Sequence, residues 1–202
     1  MNSFFKRIFD LFGAVFGLIL FFPVLLVIYI GLKLIYKGPV LFVQERIGKD
    51  GKPFNIYKFR TMMLNNENDG VPQLAEADDE HLTKFGKFLR SHHLDELPQL
   101  YNVLKGDMSF VGPRPERKFF IDQIMAIDPR YERLYTIRPG LTSYATLYNG
   151  YTDTMEKMLR RLELDLYYME NSSWHFDMKI LWRTFLCVLF GRKNKTTLCS
   201  NS

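Results

Sequence analysis

Cysteine is almost absent from this chain: Cys187 and Cys199 are the only two in 202 residues. Neither sits at a metal-binding spacing, which excludes a disulfide framework or a cysteine-rich zinc site and fits a reducing compartment. Histidine is scarce too, with four residues. His81 and His175 have no visible partners. His92 and His93, adjacent in a short linker, read as surface or packing residues, because neighbours seldom face one ligand. No internal repeat or low-complexity tract occurs. No recognised DNA- or RNA-binding motif occurs either. The net charge of +5 and pI near 9.1 therefore point to anionic partners in general, phosphates or anionic lipid as much as nucleic acid.

What is abundant is apolar surface, unevenly spread. The chain is 47% hydrophobic, yet its mean hydropathy is only −0.12. Residues 11–32 carry no charge, a run long enough to span a bilayer core as a helix. A cleaved signal peptide is disfavoured, because the run continues into Lys33-Leu34-Ile35-Tyr36-Lys37 with no small-residue cleavage site. Pro23, near the middle, removes one helix hydrogen bond and usually kinks the helix. Both flanks are basic, Lys6 and Arg7 before and Lys33 and Lys37 after, so the positive-inside rule keeps both ends on the cytoplasmic side. A re-entrant helix, with its flanks occupying residues 1–37, satisfies both facts; a straight span is the alternative.

Residues 38–202 read as a mixed α/β (α+β) portion. Residues 41–62 predict a β-hairpin turning at Asp50-Gly51. Alternation places Phe54, Ile56, Lys58 and Arg60 on one face, with Tyr57, Phe59 and Thr61 on the other. Residues 63–80 are polar and acidic and read as a loop. Helices are expected over 82–90, from near Asp95 to a stop at Lys105-Gly106, over 116–127 and over 154–170. An apolar-rich helix over 178–190, broken by Lys179 and Arg183 and followed by cationic residues 192–195, suits either the membrane interface or an ordinary core face.

The stretch Leu94-Asp95-Glu96-Leu97-Pro98-Gln99-Leu100 carries the most chemistry. Adjacent carboxylates at a helix start, with proline in the first turn, are common as caps. The same position offers free N–H groups and a partial positive charge that favour an ionised Asp and an anionic phosphoryl group. Two carboxylates can also share a divalent cation, since Mg²⁺ is usually held by one or two carboxylates plus substrate phosphates. Candidate phosphate-binding cations are Arg90, about one and a half helical turns before Asp95, Arg114 in the stiff Gly112-Pro113-Arg114-Pro115, Arg138 before Pro139-Gly140, and Lys58 with Arg60. Each one singly reads as a surface charge; together, on rigid turns beside a carboxylate pair and an anchor, they read as a site.

These motifs resemble those of the bacterial sugar transferases called monotopic phosphoglycosyl transferases, in their small form. The matching pieces are Lys6-Arg7-Ile8-Phe9-Asp10, Gly38-Pro39-Val40-Leu41-Phe42, Gln44-Glu45-Arg46-Ile47-Gly48, Lys58-Phe59-Arg60-Thr61-Met62, the Asp95-Glu96 stretch, Gly112 to Pro115 and Arg138-Pro139-Gly140-Leu141-Thr142. The late pattern of Asp165, Tyr168, Asp177 and Thr184 also fits. The resemblance covers nearly the whole chain in order. It implies a re-entrant membrane helix, a cytosolic catalytic domain over 38–202 with interfacial helices, a UDP-sugar donor, a polyprenyl (usually undecaprenyl) phosphate acceptor and Mg²⁺. It implies that the Asp95-Glu96 dyad is catalytic; on the reading of the residues above, the same pair is expected to bind the metal, with Lys58, Arg60, Arg90, Pro113, Arg114 and Arg138 at the substrate. Asp95 would attack the sugar-proximal phosphorus, release UMP and form a covalent phosphosugar that the lipid phosphate then takes. The expected place is the cytoplasmic face of the bacterial inner membrane; a homodimer is left open.

Two departures stand out. Phe22 replaces the Ser that often precedes the membrane-helix proline. After Thr142, Ser143-Tyr144-Ala145-Thr146-Leu147-Tyr148-Asn149-Gly150-Tyr151 replaces Gly-x-Ala-Gln-Val-x-Gly-Arg, which bears on sugar or nucleotide specificity. A membrane-anchored scaffold and a polyprenyl diphosphate phosphatase are the competing readings, and metal-dependent UMP release separates them from the transferase.

Overall fold

The structure, a computed structural model, describes residues 3–36, 38–62, 83–149, 152 and 154–190. Lys37, the expected loop over 63–80, His81, the cationic residues 192–195 and Cys199 lie outside the described residues.

The charge-free run forms most of α1 (Ser3–Ile35), 33 residues and about 50 Å long by helical rise. Pro23 lies inside it, and its buried residues are Asp10, Ala14, Gly17, Ile28 and Leu32. That stripe follows helical spacing, with a gap: none of residues 18–27 is buried. The outer face is apolar and bare, with Phe12 72%, Ile19 71% and Leu34 83% exposed. Water does not tolerate so continuous an apolar surface, and the helix is long and apolar enough to cross a membrane. Its length, composition and bare apolar face fit a helix set in a membrane.

Polar contacts fasten the start of α1 to the rest of the molecule. Lys6 Nζ donates to Asp177 Oδ2 at 2.6 Å and to the Tyr168 hydroxyl at 2.9 Å. Arg7 donates to the carbonyls of Val103 and Leu104. Asp10 accepts from Ser109 Oγ and the Phe110 amide. At the other end, Ile28 and Leu32 pack with Tyr36, Val40, Phe59 and Leu89, and the Tyr36 hydroxyl donates to Thr61 O at 2.9 Å.

The hairpin is present: β1 (Leu41–Ile47) pairs antiparallel with β2 (Pro53–Phe59), Leu41 opposite Phe59. Its turn places Asp50 and Gly51 both at positive φ, 59° and 68°. β2 stops at Phe59, short of the expected Met62, and the chain turns in where Thr61 O meets Tyr36. Ile56 and Phe59, on opposite faces, are both buried, so the hairpin is covered on both sides.

α2 (Lys84–Ser91) begins after Thr83, whose hydroxyl accepts from the Gly86 amide. The helix expected from near Asp95 needs correction. Residues Leu94–Glu96 form a tight 3₁₀ turn, and α3 (Gln99–Lys105) starts only after Pro98. Pro98 has no N–H to give to Leu94 O, so the first turn closes by i→i+3 bonds, Leu97 N to Leu94 O at 3.3 Å. Gly106, at φ 99°, ends α3. β3 (Ser109–Val111) pairs in parallel with β4 (Gly140–Thr142). α4 (Lys118–Ile127) starts after the expected Glu116, because Glu116 O is held by the Ile47 amide at 3.0 Å. A 3₁₀ run over Pro129–Thr136 and the short α5 (Tyr144–Tyr148) were not expected. α6 (Met155–Asn171) is capped by Thr154, and α7 (Trp174–Phe190) begins earlier than residue 178. Phe120, Ile121 and Ile124 of α4 meet Met158, Leu162 and Leu166 of α6 in the largest core cluster. Ile180 of α7 is buried, whereas Trp182 and Phe185 on the same helix are exposed.

Candidate active site

The Asp95-Glu96 turn is built by a left-handed residue. His93 sits at φ 55°, a conformation few side chains adopt freely. It reverses the chain between α2 and the turn, and its carbonyl accepts the Glu96 amide at 3.2 Å. Leu94 and Leu97, flanking the pair, pack on the cluster made by Ile28 and Leu32 of α1. The carboxylates are therefore presented by a turn whose floor is the membrane helix.

Around them the structure gathers cations from three elements. Lys58 of β2 donates to Glu96 Oε1 at 2.7 Å, and Arg114 Nη2 reaches the same oxygen at 3.4 Å. Arg90 of α2 donates through Nε to Thr61 Oγ1 at 2.9 Å and lies close enough for its charge to act on Asp95. Arg114 is aimed by its loop. Gly140 N donates to Pro113 O and Gly112 N to Thr142 O. A Cβ on Gly140 would stand 2.2 Å from Gly112 N, so two glycines are needed for this approach.

The two carboxyls differ. Burial pushes Asp95 up to about 6, helped by the Glu96 charge and only partly opposed by Lys58 and Arg90. Burial also acts against ionised Glu96, but Lys58, Arg114 and His93 outweigh it and hold that carboxyl well below the usual range. One group is fixed as an anion and the other is left under-compensated, a division found where chemistry is done. Reading His93 as a bystander missed its charge on Glu96; its left-handed backbone was not legible.

Not every candidate joins. Arg138 Nε donates to Gly106 O at 2.8 Å, where with Arg7 it caps the end of α3 remote from the carboxylates. Arg60 extends β2 past its last residue, its amide on Val40 O; its Nη1 is buried without a partner among the described residues. Behind the Arg114 loop, Glu116 binds Arg46 of β1 and, at 2.6 Å, Arg161 of α6. Burial opposes its ionisation, yet the two arginines hold it down to about 2. Asp165, beside Arg161 and the Arg114 backbone, is pushed by burial up to about 7. Among the described residues no cluster of three or more His, Cys, Asp or Glu side chains could hold a metal alone. The Asp95-Glu96 pair nonetheless suits a cation that keeps waters and substrate oxygens, because both cations on Glu96 fall on Oε1.

Residues 1–191 match the family model described as bacterial sugar transferase. A UDP-N-acetylgalactosamine-undecaprenyl-phosphate N-acetylgalactosaminephosphotransferase of Aeromonas hydrophila is 41% identical over 94% of this chain and 44% of its own length. A UDP-glucose:undecaprenyl-phosphate glucose-1-phosphate transferase of Klebsiella pneumoniae is 44% identical over 97% of the chain and 42% of its own length. One with the same activity name, from Caulobacter vibrioides, is 42% identical over 91% of the chain and 69% of its own length. The chain thus spans less than half the length of the first two.

Proposed function

We propose, because this chain belongs to the bacterial sugar transferase family, that it moves a sugar 1-phosphate from a UDP-sugar to undecaprenyl phosphate and releases UMP. The observation that carries the reading is the under-compensated Asp95 beside a Glu96 held by two cations through one oxygen, with Lys58, Arg90 and Arg114 around them. Asp95 attacks the sugar-proximal phosphorus; the bond to the UMP oxygen breaks and UMP leaves with that electron pair. The lipid phosphate then displaces Asp95 from the same phosphorus. Glu96 holds Lys58 and Arg114 over the transferring group, and Arg90 faces Asp95. Mg²⁺ held by this carboxylate pair together with substrate oxygens would supply charge neutralisation of the diphosphate.

The acceptor phosphate stays at the headgroup layer, so the nucleophile must sit at that depth. Three features support a helix that enters and leaves by one membrane face. α1 is tied to one body at both ends, through Lys6 and through Tyr36. Its middle, around Pro23, has no buried residue. Exposed Trp182 and Phe185 give α7 an apolar outer face of the kind suited to a membrane interface. With the basic flanks, this supports an active site on the cytoplasmic side of the inner membrane.

The relatives at 41% and 44% identity are named for different sugars, so local residues rather than overall likeness select the sugar. The deciding assay is UMP release from a panel of UDP-sugars with undecaprenyl phosphate and Mg²⁺, in lipid nanodiscs. Release with one donor, lost in Asp95→Asn, is expected; full turnover by that variant removes Asp95 from its role.

A further inference from the structure

A small cavity lies between the hairpin, the start of α3 and the Arg114 loop. It holds about 20 Å³ and is lined by Arg46, Lys58, Gln99 and Arg114, with Ile56 as its apolar wall. Gln99 is 2% exposed, and its Nε2 has no partner among the described residues. Arg46 is in the same condition at one atom. Its Nη1 is on Glu116 and its Nη2 on Gln44 Oε1, but Nε is buried with no partner among the described residues. A buried donor without an acceptor is unfavourable, and both of these residues line this one space.

The space admits one water or one oxygen of a larger group. A water brings two protons of its own and accepts only two bonds. The orphaned atoms are both donors, and Lys58 and Arg114 add further N–H groups beside them. The nearby carboxylates Glu96 and Glu116 are already engaged by cations. The demand is for an acceptor with several lone pairs and negative charge, which is a phosphoryl oxygen.

We infer that this cavity receives one oxygen of a substrate phosphoryl group, and that Arg46 and Gln99 are binding residues for it. The inference rests on the proposed transfer, since Lys58 and Arg114 link the cavity directly to Glu96. Gln99 supplies a neutral donor among cations, so the oxygen is held by geometry as well as charge. The phosphoryl group belongs to the nucleotide diphosphate or to the lipid phosphate, and the two are separable.

The test uses the full chain in nanodiscs with Mg²⁺. UDP is titrated by calorimetry against the wild type, Gln99→Leu and Gln99→Glu. The KM for undecaprenyl phosphate is read from UMP release. If the nucleotide fills the cavity, Gln99→Leu weakens UDP about tenfold or more, and Gln99→Glu, which adds a charge, weakens it further. If the lipid phosphate fills it, UDP affinity holds and the KM for the lipid rises by a similar factor. Should Gln99→Leu fail to fold, Gln99→Glu decides alone. Unchanged UDP affinity and unchanged lipid KM in a folded variant overturn the inference and leave a water in the cavity. That result with normal wild-type UMP release refutes the cavity only. UDP binding that depends on Gln99, with no UMP release by the wild type, refutes the transfer and keeps the site.

Discussion

Glu96 and Glu116 stand on either side of the Arg114 loop, and each is a buried carboxylate held by two cations. At Glu116 the carboxylate itself is fully answered: arginines from β1 and α6 and the Arg117 amide hold its two oxygens. The Glu96 cluster does not close, because Asp95 adds a second carboxylate that the same cations cannot fully answer. The first arrangement ties β1, α4 and α6 into one body. The second keeps a charge poorly satisfied, which a structure has no reason to retain unless an incoming group uses it. Proximity of acids and bases is therefore not the mark of the site; the mismatch is.

Four substitutions break or sharpen that contrast. Asp95→Asn should lower UMP release by roughly 10⁴- to 10⁶-fold, the scale for loss of a covalent nucleophile, while urea unfolding shows no loss of stability. A variant both inactive and unfolded would mean that Asp95 is structural. Glu116→Gln should do the reverse: unfolding loses about 3–5 kcal/mol, because two buried arginines are left unanswered, while the folded fraction keeps its dyad. Its pH dependence has a definite sign. The Glu116 carboxyl lies below its ordinary value of 4.5 in the folded state, so the stability it adds is present above that value and is lost as pH falls towards about 2. Wild-type stability should drop over that window and Glu116→Gln should not share the slope.

Asp165 gives a pH effect of opposite sign. Its folded value, about 7, exceeds its ordinary 3.8, so its stabilising contribution is complete at low pH and is lost as pH rises through about 7. Asp165→Asn should remove that part of the slope, measured as melting temperature against pH from 4 to 8. Smallest is Arg130→Ala. Arg130 and its partner Glu163 are exposed and Asp128 is half-buried, and neither melting temperature nor UMP release should move measurably.

Much of this was legible in the residues. The charge-free run, the Asp50-Gly51 turn and the Gly106 stop are local signals, and the elements follow them. The carboxylate pair and its neighbours Lys58, Arg90 and Arg114 were visible because carboxylates and arginines near prolines are conspicuous. Other features were not. The β3–β4 pair has three residues per strand, too few for a period to show. Pro98 shifted the helix start from Asp95 to Gln99 by denying one hydrogen bond. The contact of Lys6 with Asp177 joins residues 171 apart, and nothing in either neighbourhood announces the other. Arg138 carried the right charge on the right kind of turn, but it met the free carbonyl at Gly106 first.

A helix clamped at both ends has a phase as well as a length. Adding or deleting one residue between Gly17 and Ile28 rotates the far end of α1 by about 100°. Ile28 and Leu32 would swing away from Leu89, Leu94 and Leu97, and the turn bearing Asp95 would lose its footing without any change at Asp95 itself. The apolar segment is thus no interchangeable tether: a replacement of equal greasiness but different winding would leave the turn bearing Asp95 unsupported.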